Sequence, residues 1–445
     1  MTGAADRVVV LDVVGFQPSF LPDAPHIADA LDASGPLEPA FPALTVPMQT
    51  TLASGQGPGT HGDVASGEFD RERDEAVFWE RDRGDRTRLW EAASDAGLTT
   101  GVLNFQHLIG STADVVVTPS PIEDEENNFL EMDCWTNPDD LYDDLSDELG
   151  DFPLFNYWGP AANEQGTEWI LDAASIVTER FDLDMLWVYV PHLDYAGLED
   201  GPNGARVDVP EVDDMVGAFL DDLREDDRWE ETALAVVSEY GFHDVDEVTF
   251  PNRALREAGL LETDADGDVD IPASAAFAMV DHQVAHVYAD ADELEAARDV
   301  LESLPDIDDV LDDEGKRERD IDHPNAGDLV LVADPDAWFQ YYWWRDPADA
   351  PPYATEMDIH AKPGFDPCEL FLDENGDVST DASKVGGSHG RTDVPAFFGL
   401  GGPAAPEIDL DDAVDARSVA PTVAELLGVH EAVDIAFEAP SLLED

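Results

Sequence analysis

The sequence predicts an α/β protein, a mostly parallel sheet sandwiched by helices with a small inserted α+β cap. Three observations carry this. Apolar runs at residues 8–11, 185–190 and 233–237 each lead within a few residues to a carboxylate, Asp12, Asp194 and Glu239. Segments of helical periodicity lie between them, as at 168–181 and 212–223. The runs are continuous rather than alternating, which marks strands covered on both faces, as in parallel sheets. The core is assigned to residues 1–245 and 346–445, and the cap to 246–345.

Taken in order, Val8, Val9, Val10 and Leu11 form a buried strand delivering Asp12 at its C-terminal end, where ligands bind in open α/β sheets. Residues 25–33 read as a short amphipathic helix closing at Gly35. In Phe41-Pro42-Ala43-Leu44-Thr45-Val46-Pro47, Pro47 suits the first turn of a helix, so Thr45 falls at or just before its N-terminus. A hydroxyl there faces unpaired backbone N–H groups, a place for phosphate or sulfate. The plainer reading is an N-cap threonine beside an ordinary strand end. Ser66, Gly67 and Phe69 lead into a rim or lid. Residues 88–97 are a helix with a glycine stop, and 99–105 a strand behind it.

Residues 111–165 are polar and turn-rich, an excursion with one helix at 141–149. Helix 168–181 precedes strand 185–190, which runs into Pro191-His192-Leu193-Asp194. Helix 212–223 precedes strand 233–237, which ends in Ser238-Glu239-Tyr240-Gly241. Parallel strands put these ends on one edge, so Asp12, Asp194 and Glu239 converge, and a divalent metal is the natural account of carboxylates held together. The weaker explanation is composition, since acidic residues end strands often in so acidic a chain. In the cap, 250–259 and 291–304 read as helices, 329–333 as a strand and 307–311 as an edge strand; the aromatic block at 338–344 reads as packing. Further on, Asp358-Ile359-His360-Ala361-Lys362 and the glycine-flanked His389 bring chemistry back, and 419–427 is the last helix.

The chain has 445 residues, 102 acidic against 22 basic, and a formal net charge of −80. With 43% hydrophobic residues it is expected to hold a core rather than to be a disordered acidic tail. Such charge is tolerable where salt screens it, so the composition reads as salt-adapted and halophile-like. It excludes binding to a nucleic-acid backbone, because the arginines at 71–88 are interleaved with acids. The two cysteines, Cys134 and Cys368, allow one disulfide and no cysteine-rich metal site. No secretion segment or membrane span is seen, so a cytoplasmic protein with no membrane partner is expected.

These motifs resemble the alkaline phosphatase superfamily, and within it the type I phosphodiesterase/nucleotide pyrophosphatase branch. The resemblance runs along the chain through Asp12, Phe41-Pro42-Ala43-Leu44-Thr45-Val46-Pro47 with Gly55 and His61-Gly62, Asp194, Ser238-Glu239-Tyr240-Gly241, and His389-Gly390. It implies an alkaline-phosphatase-like core, a small phosphorylated substrate and two divalent metal ions, zinc or manganese/magnesium. It also implies that Asp12 and Thr45 belong to the metal site facing the nucleophile, that Thr45 is that nucleophile, and that Asp194 and His389 belong to the other site. The chain departs from the branch at two positions. Tyr240 stands in a turn where relatives carry Asp-His-Gly, and Leu198 stands where a histidine follows the metal-binding aspartate. Glu239, His282 and His360 complete the expected metal set, the last two because each lies beside a carboxylate in a histidine-poor chain. Asn104 and Lys362 are the expected substrate contacts. The function this implies is a metal-dependent phosphate-ester hydrolase of the phosphodiesterase type. The alternatives are a phosphomonoesterase on the same site, or a metal-depleted homologue that only binds a ligand. Sulfatase chemistry is disfavoured, because no Cys/Ser-x-Pro-x-Arg setting surrounds Thr45.

Overall fold

The computed structural model describes residues 3–71, 73, 75–78, 87–124, 129–265, 267–358, 361–410 and 412–443. Its organising element is the strand Arg7–Val13, buried at every position. Met185–Val190 lies on one side of it and Thr232–Val237 on the other, both parallel to it and both buried throughout. Val, Leu and Ala runs with no exposed face form such strands because layers on both sides cover them. Nine strands complete the sheet, in the order Val414–Asp415, Leu31–Glu38, Ala396–Gly401, Thr232–Val237, Arg7–Val13, Met185–Val190, Thr100–Leu103, Val115–Pro119 and Cys134–Asn137. Only Ala396–Gly401 and Cys134–Asn137 run antiparallel to their neighbours. The sheet is therefore mixed but mainly parallel, and the α/β class holds.

Three sequence expectations change. The segment 25–33 is not one helix: Pro25–Ala30 is helical, and Leu31–Glu38 is a strand through Gly35 and Pro36. Its mixed composition hides it, and pairing with Ala396–Gly401 makes it. The helix read at 212–223 starts earlier, just past Gly201, and runs to Glu225; a separate short helix begins at His192, and non-helical backbone at Asp200 and Gly201 divides the two. Pro202 and Pro210 hide the first turns of the longer helix from a periodicity reading. Cys134 and Cys368 form no disulfide; both are free and buried. Elsewhere the helices Leu141–Leu149 and Glu164–Arg180 stand where expected.

A second sheet, of four strands, is drawn wholly from residues 276–333. Its order is Ala276–Asp281, Val284–Ala289, Leu329–Ala333 and Ile307–Leu311, so Ile307–Leu311 is indeed an edge. The aromatic block that follows is buried, with Tyr342 stacked on Trp344 at 4.3 Å between ring centroids. It packs the interior rather than offering a surface for bases. The two-residue turn His282-Gln283 joins the first two strands of this sheet, and Gln283 N–H donates to the His389 carbonyl at 3.0 Å. That bond ties the second sheet to the edge of the first where the acidic residues gather. No helix among the described residues is long and apolar enough to cross a membrane.

Candidate active site

Asp12 sits on the central strand, fully buried, and neither of its carboxylate oxygens has a hydrogen-bond partner among the described residues. Glu239 is also fully buried, with both oxygens unpartnered. It lies two residues past the Thr232–Val237 strand, whose last residue is in register with Asp12. Ser238 fixes this turn: its hydroxyl donates to the Phe16 carbonyl at 2.7 Å and accepts from Phe397 N–H at 2.8 Å.

Thr45 is the first residue of the helix Thr45–Ser54, and no side chain caps that end. Its backbone N–H groups are therefore available to an anion. The Thr45 hydroxyl lies 3.2 Å from the Tyr240 hydroxyl, which donates to Asp194 Oδ1 at 3.0 Å. A phenol has one proton. With that proton on Asp194, the Tyr240 oxygen accepts and Thr45 donates. Asp194 occupies the first turn of the helix beginning at His192, where the macrodipole favours negative charge.

His389 lies flat on Tyr240, at 3.6 Å between centroids and 5° between planes. Its Nδ1 is 2.9 Å from the Ala43 carbonyl. A carbonyl only accepts, so Nδ1 carries the proton and Nε2 presents a lone pair. That Nε2 is buried without a hydrogen-bond partner, 3.9 Å from Asp194 Oδ1. Gly390 follows at φ +121, and its carbonyl accepts from Ala43 N–H at 2.9 Å, so the approach to Thr45 and the His389 loop are stitched together. His282, itself at φ 58, packs between His389 at 3.8 Å and Phe365 at 4.1 Å. Its Nδ1 has no hydrogen-bond partner and its Nε2 is 3.9 Å from Asp281 Oδ1.

The electrostatics follow from burial. Desolvation lifts Asp12, Asp194 and Asp281 each to about 7. Glu239 rises well above the usual range through burial and then through the charge of Asp12. Burial pushes His389 down to about 3 and His282 well below its ordinary value. Carboxylates that resist ionising beside imidazoles that refuse a proton are relieved together by a cation. The unpartnered oxygens of Asp12 and Glu239 and the free Nε2 of His389 fit divalent metal ions by their chemistry.

The type I phosphodiesterase / nucleotide pyrophosphatase family matches residues 8–366. The chain belongs to this family. The chain is accordingly a hydrolase of the phosphodiesterase type. Among solved structures it is similar to murine ectonucleotide pyrophosphatase / phosphodiesterase 5, with a TM-score of 0.62 at 15% identity over 98% of this chain and 97% of that one. It is also similar to phosphonoacetate hydrolase from Sinorhizobium meliloti 1021, with a TM-score of 0.61 at 16% identity over 94% of this chain and 95% of that one. At these identities the likeness is one of fold. No curated protein sequence matches the chain at a significant level.

Within this member of the family, contacts connect Thr45, Asp194, His389 and His282 through Tyr240, with Asp12 and Glu239 on the adjoining strand ends. Asn104 follows the strand Thr100–Leu103 at φ 61, buried with both side-chain polar atoms unpartnered. Lys362 is a correction. Its Nζ is buried against Asp366 Oδ2 at 3.1 Å and Glu369 Oε1 at 2.6 Å, so it holds a structural ion cluster rather than a substrate. His360 lies outside the described residues.

Leu198 is fully buried in apolar surroundings. Sequence reasoning took Tyr240 only as a departure; its link between Thr45 and Asp194 has no signal in one chain. Gln49 was also missed, one turn beyond Thr45, buried with Nε2 unpartnered while Oε1 accepts from Gln106 N–H at 2.7 Å. Its spacing of four from Thr45 was the available sign. Among the described residues one group of three metal-capable side chains has ligand atoms within 4.8 Å of one another: His26, Asp213 and Asp214. Asp213 there already accepts from the backbone N–H groups of His26 and Ile27, which accounts for its position.

Proposed function

We propose that the chain hydrolyses phosphate esters, diesters in the first place, with Thr45 as nucleophile and two divalent cations as cofactors. The observation that carries this reading is the Thr45 hydroxyl at an uncapped helix N-terminus, linked through the Tyr240 hydroxyl to Asp194. One cation belongs with Asp12, Glu239 and Thr45, the other with Asp194 and His389. Bound there, the cations supply charge neutralisation and make the alcohol and water nucleophilic at neutral pH. Thr45 Oγ forms a bond to phosphorus as the bond from phosphorus to the leaving oxygen breaks, and the threonine proton ends on that oxygen, which departs as the alcohol. Water then cleaves the phosphothreonine and returns the threonine. Backbone N–H groups at the start of the helix and the Asn104 amide face the phosphoryl oxygens. The murine phosphodiesterase 5 has also been solved as an inactive threonine-to-alanine variant in complex with AMP, which agrees with a threonine nucleophile and a nucleotide-sized substrate here.

The second sheet serves as the cap, since its His282-Gln283 turn reaches His389. We also propose that the protein works in concentrated salt, as its net charge of −80 suggests. The test is hydrolysis of a bis-aryl phosphate against an aryl monophosphate and phosphonoacetate in high salt, with metal analysis of the purified protein. Thr45→Ala is expected to lower kcat on the diester by at least about a thousandfold. A protein that binds no metal, with unchanged activity in Thr45→Ala, would sink the proposal.

A further inference from the structure

We infer that Arg391 is a positioning residue for His389, closing a hydrogen-bonded circuit that seats the His389 loop on the second sheet. This rests on the reading above that His389 belongs to the reacting site. The His389 carbonyl accepts from Gln283 N–H at 3.0 Å, and the Gln283 carbonyl accepts from Ala333 N–H at 2.9 Å. The Ala333 carbonyl in turn accepts from Arg391 Nη1 at 2.7 Å, and Arg391 stands two residues beyond His389. His389 is thereby joined to the second sheet twice, by its own carbonyl and by the side chain of Arg391.

The surroundings hold the guanidinium in this place. Nη1 also donates to Asp308 Oδ2 at 2.8 Å, while Nε donates to Asp393 Oδ1 at 3.0 Å. Asp308 lies on the edge strand Ile307–Leu311, where the register shifts between Ile307 and Asp309. Such an irregularity re-aims a side chain, here toward Arg391. Asp393 Oδ1 also accepts from His243 Nε2–H at 3.2 Å, and the His243 backbone pairs with Ser388. Both ends of the segment 388–393 therefore return to His243, and Arg391 carries the tie outward to the second sheet. Acceptors in three directions call for the planar fork of an arginine, which a lysine does not reproduce. The Arg391 side chain is 14% exposed, so these bonds are largely shielded from water.

The test uses the full chain in high salt. In Arg391→Met, hydrogen-exchange mass spectrometry should show the peptides carrying the Gln283 and Ala333 amides exchanging about tenfold faster, with the strand Arg7–Val13 unchanged. On the diester, kcat per folded molecule should fall about tenfold with KM within about twofold. Arg391→Lys should restore little of it. Asp308→Asn should act in the same direction, and the double variant should lose no more than about twofold beyond Arg391→Met, since both act on one tie. If Arg391→Met does not fold, Asp308→Asn carries the same comparison. Unchanged exchange at Gln283, faster exchange with unchanged kcat, or additive losses in the double variant would overturn the inference and leave the site reading intact. Full activity in His389→Ala would overturn the site reading and the inference with it.

Discussion

At the scale of single residues, the histidines sort by what each ring nitrogen touches. His389 has one nitrogen on a carbonyl and one free, the state of an imidazole ready to ligate. His286 has neither free: Nε2–H donates to the Val64 carbonyl and Nδ1 accepts from Gly327 N–H, both at 3.1 Å. It is a structural residue. A proton on Nδ1 would break the Gly327 bond, and burial already pushes His286 from 6.5 down to about 4. The sign follows from which state takes up the proton. Above 6.5 the ring is neutral in both states and its contribution is full. Between 6.5 and about 4 the unfolded chain binds a proton that the folded one refuses, so stability is lost as pH falls. The loss reaches up to about 3 kcal/mol. Melting curves of wild type and His286→Gln between pH 7 and 4 check this: their difference should narrow by that amount on acidification, and a constant difference would contradict it.

At the scale of elements, the site is made by ends: two strand ends, two helix starts and two tight turns. None of these pieces holds its geometry alone. The 361–369 loop shows how one is held. Lys362 sits between Asp366 and Glu369, whose other oxygens accept from Gln340 Nε2 at 2.8 Å and Trp158 Nε1 at 2.9 Å. All three charged side chains are nearly inaccessible. Removing the cation leaves two buried carboxylates sharing a pocket, and breaking such a buried cluster costs about 3–5 kcal/mol. Lys362→Met should therefore lower stability by that order in chemical denaturation at high salt. A loss below about 1 kcal/mol would show that the carboxylates find protons or water instead.

At the scale of the whole molecule, the buried carboxylates of the site are few beside the many that face solvent. A net charge of −80 on 445 residues creates self-repulsion that only counterions relieve. The Debye length is about 10 Å at 0.1 M salt and about 3 Å at 1 M, so concentrated salt confines each surface charge to its near neighbours. The melting temperature should fall steeply as KCl is lowered from about 2 M to about 0.1 M. A curve flat in KCl would remove the salt-adapted reading. Sodium chloride at matched ionic strength separates general screening from specific cation binding.

The central strands, and the positions of Asp12 in a buried strand and Thr45 at a helix start, were legible in the chain because each rests on local chemistry, as does the place of His389 beside Gly390. A continuous apolar run, a proline two residues past a threonine and a histidine between glycines keep their meaning in any fold. The strand through Gly35 and Pro36 and the short helix that begins at His192 were not legible, since pairing and packing overrode local preference. Lys362 was misjudged for the same reason: its partners lie four and seven residues on, and only burial makes them obligatory. Tyr240 is the sharpest case. By itself the sequence determined that a tyrosine follows Glu239. Only the tertiary structure decided that its hydroxyl meets Thr45, 195 residues away, and Asp194, 46 residues away, because hydrogen bonds are set by distance in space, which the order of residues does not contain.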